Sequence, residues 1–287
     1  MCRFIAYIGN SLVLDEVLFK PMNSLIKQSI HAREMKEPLN GDGFGLGWYT
    51  PEIDSEPALY RSIQPAWNDQ NLKYLARKIQ SNCFFAHVRS ASCGGVSQDN
   101  CHPFHYKQFL FMHNGDIGGF GKIKRYLRRK LSDKFYDFIQ GQTDSEHFFA
   151  LFLDNFQKKQ ISFEANTVAS VLADTIQEME DFKKKYGAIE DSFINAAITD
   201  GKNMVVVRYI SNPKDTPLSL YYAIGVQYEC IKGDCHIHSG NNQNKSILIV
   251  SERLTDSQCK WHEIPLNHML LVQNGLVTTL RPLRIDA

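Results

Sequence analysis

Apolar residues form short blocks, with aromatic and β-branched members, at three places in the N-terminal half of the chain. These blocks, "CRFIAYIG", "CFFAHVRS" and "QFLFMHNG", have the composition that β-strands favour. Between the first two lies "NGDGFGLGWY", with four glycines in positions 41 to 47. It predicts a mobile or tightly turning segment that leads into a strand at positions 46–49.

The middle of the chain repeats its apolar residues at helical spacing. "NLKYLARKI" and "GKIKRYLRRKL" predict helices with basic outer faces, and "TDSEHFFALFLDNF" opens with a capping-box pattern, Thr143 to Glu146. The longest amphipathic pattern, "NTVASVLADTIQEMEDFKKKYG", predicts a helix that ends at Gly187.

Strand patterns return after this helix. Hairpins are predicted to turn at Asp200-Gly201 and at Asn274-Gly275, with strands in "LSLYYAIG" and "KSILIVSE" between them. Strands, then helices, then strands predict an α+β fold in which two antiparallel sheets pack face to face under outer helices. No repeat or linker divides the chain, so we expect one domain.

Composition limits the possible partners and the compartment. The 287 residues carry a formal charge of +1, too small to steer nucleic acid or an anionic membrane, so the basic stretch at 122–130 is interpreted as a solvated helix face. No segment resembles a secretory signal or a membrane span. Seven irregularly spaced cysteines argue against a disulfide framework. We expect a cytoplasmic protein that binds a small molecule or a protein, and neither nucleic acid nor membrane.

Cys2 directly follows the initiator methionine, and its position allows two interpretations. In the first, it is a small hydrophobe that suits a buried strand. In the second, removal of Met1 leaves a thiol and a free α-amine on one residue. An α-amine titrates near ~7.7–8.0, so it can accept the thiol proton and later return it to a leaving group.

Three further segments, "AHVRSAS", "MHNGD" and "TDSE", favour the second interpretation when they are taken together. Arg89 can bind an α-carboxylate through two hydrogen bonds, and Asp144 can form an ion pair with an α-ammonium group. The Asn114 amide and the Gly115 backbone N–H can stabilise an oxyanion. Taken singly, these residues also suit a surface ion pair, a turn and a first-turn helix acid.

In order and spacing, these motifs, together with "NGDGFGLGWY" and "NCHPFHY", resemble the class II glutamine amidotransferase domain of the N-terminal-nucleophile hydrolases. The resemblance is strong from Cys2 to about Asp154 and continues in "VSERLTDSQCKWHEIPLNHMLLV". It implies a four-layer αββα sandwich, formed by a single domain over residues 2–287 once Met1 is removed. The chain looks most like the stand-alone γ-glutamyl hydrolases of fungal glutathione degradation and of ergothioneine synthesis.

The resemblance also implies a role for each of six residues. They are Cys2 as nucleophile with its own amine as base, Asn114 and Gly115 as oxyanion donors, Arg89 with Ser92 as the carboxylate site, and Asp144 as the ammonium site. Larger family members have Arg-Trp-Ala-Thr where this chain has Arg-Ser-Ala-Ser at 89–92, and they carry a synthase domain that this sequence lacks.

The function that follows is hydrolysis of a γ-glutamyl amide, in glutamine or a glutathione-like peptide, through a Cys2 thioester that releases glutamate. It needs no metal or organic cofactor, and a partner subunit or a second copy of the chain is compatible with it. Two alternatives stay open: a glutaminase subunit that delivers ammonia to a separate synthase, and a non-catalytic scaffold subunit that kept the fold.

"CIKGDCHIH" brings Cys230, Cys235, His236 and His238 close together in sequence. The spacing differs from that of standard zinc sites, which draw ligands from two elements, so no metal site is predicted.

Two histidines lie beside the candidate residues. His113 precedes Asn114 and is interpreted as structural, because an N-terminal amine can act as the base. His87 lies two residues before Arg89 and therefore shares its strand face, which predicts a supporting role.

Overall fold

The computed structural model describes residues 2–35, 37–91, 94–225, 227–231, 233–238, 245–256, 260–273 and 276–286. The strands are β1 (Arg3–Val13), β2 (Phe44–Thr50), β3 (Asp54–Ser62), β4 (Gln80–Val88), β5 (Phe104–Tyr106), β6 (Phe109–Asp116), β7 (Phe193–Thr199), β8 (Met204–Ile210), β9 (Tyr221–Gly225), β10 (Gln227–Ile231), β11 (Asp234–His238), β12 (Ser246–Val250), β13 (His262–Glu263), β14 (His268–Gln273) and β15 (Val277–Pro282). The α-helices are α1 (Asp15–Leu18), α2 (Leu25–Ile30), α3 (Gln70–Ala76), α4 (Phe120–Lys130), α5 (Asp133–Phe138), α6 (Asp144–Lys159) and α7 (Ala165–Tyr186).

Most strands belong to two antiparallel sheets. Sheet A has the order β13-β9-β12-β1-β4-β2-β3, and sheet B has the order β15-β14-β8-β7-β6-β5. Strand β1 lies inside sheet A, paired with β12 on one side and β4 on the other. Strand β6 lies inside sheet B, between β5 and β7. The strand that follows Cys2 and the strand that contains Asn114 and Gly115 are therefore each paired with a neighbouring strand on both sides.

The two sheets pack against each other through an apolar layer. Phe4, Ala6 and Ile8, at alternate positions of β1, belong to the same buried cluster as Leu110 and Met112 of β6. Alternation places these β1 side chains on one face of the strand. This inter-sheet layer is the inner core of the molecule.

Helices cover the outer faces of both sheets. Alternate positions of β6 face α4, α6 and α7, as the stacked rings of Phe111 and Phe149 show, with centroids 4.9 Å apart. On sheet A, Ile5 and Tyr7 pack with Leu25 of α2 and with helices α1 and α3. The resulting αββα order confirms the predicted four-layer α+β sandwich.

The glycine-rich stretch at 41–47 lets another segment approach sheet A closely. A Cβ on Gly45 would lie 2.2 Å from the carbonyl oxygen of His102. A Cβ on Gly47 would lie 2.9 Å from the side chains of Pro103 and Leu110. Both glycines are within β2, so they are required for close packing inside the sandwich, whereas the turn lies before position 44.

Helix ends and hairpin turns largely follow the prediction. Helix α7 is capped by Gly187 in the left-handed conformation (φ 68°), and Gly201, at φ 85°, lies between the paired strands β7 and β8. Strands β14 and β15 pair as expected, although the predicted turn at 274–275 lies outside the described residues.

The predicted capping box of α6 forms one of its two hydrogen bonds, and the Glu146 carboxylate binds elsewhere. The Thr143 hydroxyl accepts a hydrogen bond from Glu146 N at 3.2 Å. The Glu146 carboxylate, however, accepts from Gln140 N and Gly141 N, at 2.9 and 2.7 Å. Glu146 thus fixes the loop that leads into the helix.

The cysteine- and histidine-rich segment forms the hairpin of β10 and β11. Cys230 and Cys235 lie opposite each other in the ladder and form a disulfide. The sequence pattern did not predict this bond, which joins residues only five positions apart. It therefore crosslinks one hairpin and does not form a framework.

Candidate active site

Cys2 lies at the beginning of β1, at one end of the inter-sheet layer. Its thiol contacts the backbone of Ser90: Ser90 N–H donates to Sγ at 3.3 Å, and Sγ lies 3.4 Å from the Ser90 carbonyl oxygen. Burial raises the pKa of the Cys2 thiol, whereas the hydrogen bond from Ser90 and the charges of Arg89 and Arg3 oppose this shift. A base close to the sulfur is therefore needed to generate the thiolate at neutral pH.

Arg89 follows the end of β4 and is almost fully buried. Its guanidinium donates to the carbonyl oxygens of Gly95 at 3.2 Å, Gly94 at 3.4 Å and Asp42 at 3.5 Å. Asp42 in turn accepts a hydrogen bond from Ala91 N at 2.8 Å. The glycine-rich loop before β2 thus holds the segment that carries Arg89 beside Cys2.

Asn114, in β6, approaches the site from sheet B. Its side-chain Nδ2 donates to Ser251 Oγ at 2.9 Å, and Phe4 N of β1 donates to the same oxygen at 2.9 Å. Ser251 therefore connects the strand that begins at Cys2 to the candidate oxyanion residue. Within the described part of the chain, the buried Asn114 Oδ1 has no hydrogen-bond partner.

Gly115 occupies a position that only glycine can fill. Its φ is +136°, and a Cβ would lie 1.7 Å from the carbonyl oxygen of Phe193 and 3.0 Å from His113 Nε2. Any other residue would force β6 away from β7 at the end where Asn114 is placed.

Asp144 is the first residue of α6 and is fixed to the end of β6. Its carboxylate accepts from Ile117 N at 2.9 Å and from Ser145 N at 2.8 Å. Nearby, burial and the Asp144 charge raise the pKa of Asp116, which lies on the same face of β6 as Asn114 by alternation. The α6 end of the site therefore concentrates negative charge, as a site for an ammonium group requires.

His87 and His113 lie on different sides of the site. His87 is buried against His102, with ring centroids 4.2 Å apart, and burial lowers its pKa to about 3, while the nearby Asn114 opposes that shift. His113 belongs to the opposite face of β6, where Nδ1 lies 2.9 Å from Ser145 Oγ. This location agrees with the structural interpretation of His113.

The structure thus places the Cys2 thiol against Ser90, next to Arg89. Ser251 joins Asn114 to Phe4, two residues after Cys2. Asp144 is attached to the end of the strand that bears Asn114 and Gly115. Ser92 lies outside the described residues. The sequence interpretation missed Ser251, whose only signal was its place in the C-terminal "VSERL" segment.

A model of the family described as class II glutamine amidotransferases matches residues 23–286. The chain belongs to this family. As a class II glutamine amidotransferase, the chain is a hydrolytic enzyme, and this assignment agrees with the fold. The match covers every candidate residue described above except Cys2.

Two relatives share substantial sequence with the chain. It is 38% identical to the probable glutamine amidotransferase DUG3 of Saccharomyces cerevisiae, over 96% of this chain and 83% of the relative. It is 34% identical to the gamma-glutamyl-hercynylcysteine sulfoxide hydrolase of Mycolicibacterium smegmatis, over 40% of this chain and 51% of that protein.

Solved structures agree with the amidotransferase fold. A glutamine aminotransferase class-II domain protein from Silicibacter pomeroyi superposes with a TM-score of 0.70 at 25% identity, covering 99% of this chain and 100% of that one. The glutamine PRPP amidotransferase of Bacillus subtilis gives 0.61 at 15% identity, over 99% of this chain and 50% of its own. The second likeness concerns the fold alone.

The cysteine- and histidine-rich hairpin provides no metal site in the described residues, which contain no cluster of three or more metal-ligating side chains. Two of its four candidate ligands, Cys230 and Cys235, are bonded to each other. Among the described helices, none combines the length and the apolar character that crossing a bilayer requires.

Proposed function

We propose that this amidotransferase hydrolyses γ-glutamyl amides through a thioester on Cys2, releasing glutamate and an amine. The observation that carries the proposal is the junction at one end of the inter-sheet layer. There the Cys2 thiol contacts Ser90, next to Arg89, while Ser251 connects the same strand to Asn114.

Each group has a defined part in the proposed reaction. Removal of Met1 leaves a free amine on Cys2, which takes the thiol proton as Sγ bonds to the amide carbon. Asn114 Nδ2 and the Gly115 N–H stabilise the oxyanion that forms on the amide oxygen. The C–N bond then breaks, and the leaving amine receives the proton held by the Cys2 amine.

A water molecule completes the cycle. It gives a proton to the Cys2 amine and attacks the thioester carbon, the C–S bond breaks, and glutamate leaves as the thiol is re-formed. The raised pKa of the half-buried Cys2 thiol explains why the amine is needed in the first half, because little thiolate would otherwise be present near neutral pH. In the second half the amine acts as the base toward water.

The substrate head follows from the charges around the site. Arg89 would bind the free α-carboxylate, with Ser92 assisting, and Asp144 would bind the α-ammonium. An α-linked isomer lacks the free α-carboxylate that the buried Arg89 would bind, so it should be rejected. The hydrolase relative, named for a γ-glutamyl compound, supports the same substrate head.

We further propose that residues 2–287 act as a single domain in the cytoplasm, and that a partner subunit or a second copy shapes the amine side of the substrate. A glutathione-like peptide is the preferred substrate, since the sequence motifs resemble those of the stand-alone γ-glutamyl hydrolases of fungal glutathione degradation.

The test is glutamate release from glutamine, glutathione and γ-glutamyl-cysteine, each compared with its α-linked isomer where one exists. Intact-mass measurement first establishes that the protein begins at Cys2. Cys2→Ala serves as the inactive control. We expect release from γ-linked substrates only, and only from protein that has lost Met1.

Release from none of the γ-linked substrates by protein beginning at Cys2 would contradict the proposal and favour a scaffold subunit. Release from glutamine alone would favour a glutaminase that supplies ammonia to a partner. Equal activity of protein that retains Met1 would contradict the role of the Cys2 amine.

A further inference from the structure

Ser251 extends the pairing of β1 and β12 beyond the end of their regular ladder. The ladder runs from Ile8–Ile247 to Ile5–Val250. One position further, Ser251 N donates to Phe4 O at 3.1 Å, while Phe4 N donates to the Ser251 hydroxyl oxygen at 2.9 Å. A side-chain oxygen therefore takes the place of a backbone acceptor two residues after Cys2.

The same hydroxyl oxygen reaches across to sheet B. It accepts the hydrogen bond from Asn114 Nδ2 at 2.9 Å, and Ser251 is completely buried. A hydroxyl oxygen has two lone pairs, so Phe4 N–H and Asn114 Nδ2–H together occupy both. Ser251 fixes the direction of one N–H of the Asn114 side-chain amide. It therefore also determines the direction of the second N–H.

We propose that Ser251 is a positioning residue that sets the Cys2 thiol and the Asn114 oxyanion donor at their working separation. The inference deepens the proposed function and rests on it. Cys2 precedes the first residue of β1, and once Met1 is removed no chain on its N-terminal side restrains it. Its position then depends on its contacts with Ser90 and on the bonds that hold Phe4. One of the Phe4 bonds ends on the Ser251 oxygen that also holds Asn114.

The other end of the same ladder provides a matched control. Ser246 is also buried, and its hydroxyl oxygen accepts from Asn10 N of β1 at 3.1 Å and lies 2.9 Å from the Tyr7 hydroxyl oxygen. Ser246 and Ser251 thus bracket the ladder with similar contacts: each accepts one backbone N–H of β1 and hydrogen-bonds one side chain. Of the described contacts of these two serines, only those of Ser251 reach a candidate site residue.

The experiment compares Ser251→Ala with Ser246→Ala by steady-state kinetics on the best γ-glutamyl substrate. We expect Ser251→Ala to lower kcat by about 10²-fold, the loss typical of a displacement of about 1 Å between reacting groups. Its KM should stay near the wild-type value, since Arg89 and Asp144 are untouched. Ser246→Ala should lower Tm by a similar amount and leave kcat unchanged.

Ser251→Cys keeps a similar shape with a weaker acceptor, so its kcat should fall between those of the wild type and Ser251→Ala. A wild-type kcat in Ser251→Ala would overturn the inference. An equal loss of kcat in Ser246→Ala would overturn it as well, because the effect would then be general weakening of the strand.

A second measurement needs no activity. Hydrogen exchange of the Phe4 amide and the NMR signals of the Asn114 side-chain amide should change in Ser251→Ala and remain as in the wild type in Ser246→Ala. Unchanged signals in Ser251→Ala would contradict the link itself. A wild-type protein with normal signals but no glutamate release would contradict the proposed function instead.

Discussion

The middle and one end of the inter-sheet layer differ in chemistry although the same strands build both. In the middle, β1 contributes Phe4 and Ala6 and β6 contributes Leu110 and Met112, all buried and apolar. At the end, the next inward positions are polar or reactive: Cys2 before β1, His87 and Arg89 along and after β4, and Asn114 in β6. That set lies on the same strand faces as the apolar core, by alternation.

This difference teaches that the site is made by inward-facing residues at or just beyond the strand ends, while the inward residues in the middle of the same strands are apolar. Hydrophobic burial in the middle stabilises the fold. The buried polar groups at the end are costly unless they are paired, and Ser251 and the backbone of Ser90 provide such pairing. Stability and chemistry should therefore respond to different substitutions.

The largest expected effect is the loss of turnover in Cys2→Ala. Removing the nucleophile should lower kcat on the order of 10⁴-fold or more, while Tm changes little because one sulfur at the start of a strand is lost. Cys2→Ser should also be slow, since a hydroxyl is less acidic and less nucleophilic. Glutamate release and a thermal melt measure the two quantities, and a near-normal rate in Cys2→Ala would end the thioester mechanism.

Leu110→Ala should give the converse result. Leu110 is fully buried, and its truncation should lower the free energy of unfolding by about 2–5 kcal/mol through lost burial and a cavity. Well below its Tm the variant should keep wild-type kcat. Urea titration and kinetics test this prediction, and a large loss of kcat in folded protein would mean that the two regions are not separable.

Arg89→Lys and Asp144→Asn should each weaken binding of the γ-glutamyl head by roughly 2–4 kcal/mol, as expected when one partner of a desolvated charge pair is lost. The measure is KM, or Kd of a non-hydrolysed analogue. If Asp144 only supports the first turn of α6, Asp144→Asn should lower the free energy of unfolding by under about 1 kcal/mol and leave KM unchanged.

The smallest effect, counted per pH unit, is the acid sensitivity that His87 causes. Burial holds its pKa at about 3 in the folded chain, whereas an unfolded histidine takes a proton near ~6.5. Between these values the unfolded chain binds more protons, so stability falls as the pH is lowered, by up to about 1.4 kcal/mol per pH unit. His87→Gln should make this slope shallower in urea titrations at a series of pH values.

His147, in helix α6, provides the comparison, because burial lowers its pKa to about 4 and it lies outside the inter-sheet layer. His147→Gln should also make the dependence of stability on pH shallower, at pH values down to the pKa of His147. An unchanged slope in His87→Gln would mean that His87 is protonated in the folded protein.

Local patterns in the sequence predicted much of this arrangement. Blocks of aromatic and β-branched residues predicted the central strands, and the chemistry of "MHNGD" and "TDSE" indicated Asn114, Gly115 and Asp144 as candidates. The roles of these residues stay predictions, but their collection at one end of the sandwich is observed. Alternation also predicts that His87 and Arg89 share one face.

The sequence could not predict contacts that depend on tertiary register. Ser251 is 137 positions from Asn114, and only the pairing of β12 with β1 brings the two together. Likewise, the capping-box pattern gave the Thr143 contact but could not reveal that Glu146 binds the preceding loop. The Cys230–Cys235 bond required the hairpin register, since residue spacing alone does not determine connectivity.

Because Cys2 is partly exposed, labelling its thiol can count the active molecules in a sample. Among the described cysteines with free thiols, Cys83 and Cys101 are buried, whereas Cys2 is not fully buried. With the cysteines at positions 93 and 259 replaced by serine, an alkylating reagent should count every Cys2 thiol. An aldehyde, which forms a thiazolidine only with an adjacent amine and thiol, should count only molecules that have lost Met1. The ratio of the two labels gives the matured fraction, and hence a turnover number per competent molecule.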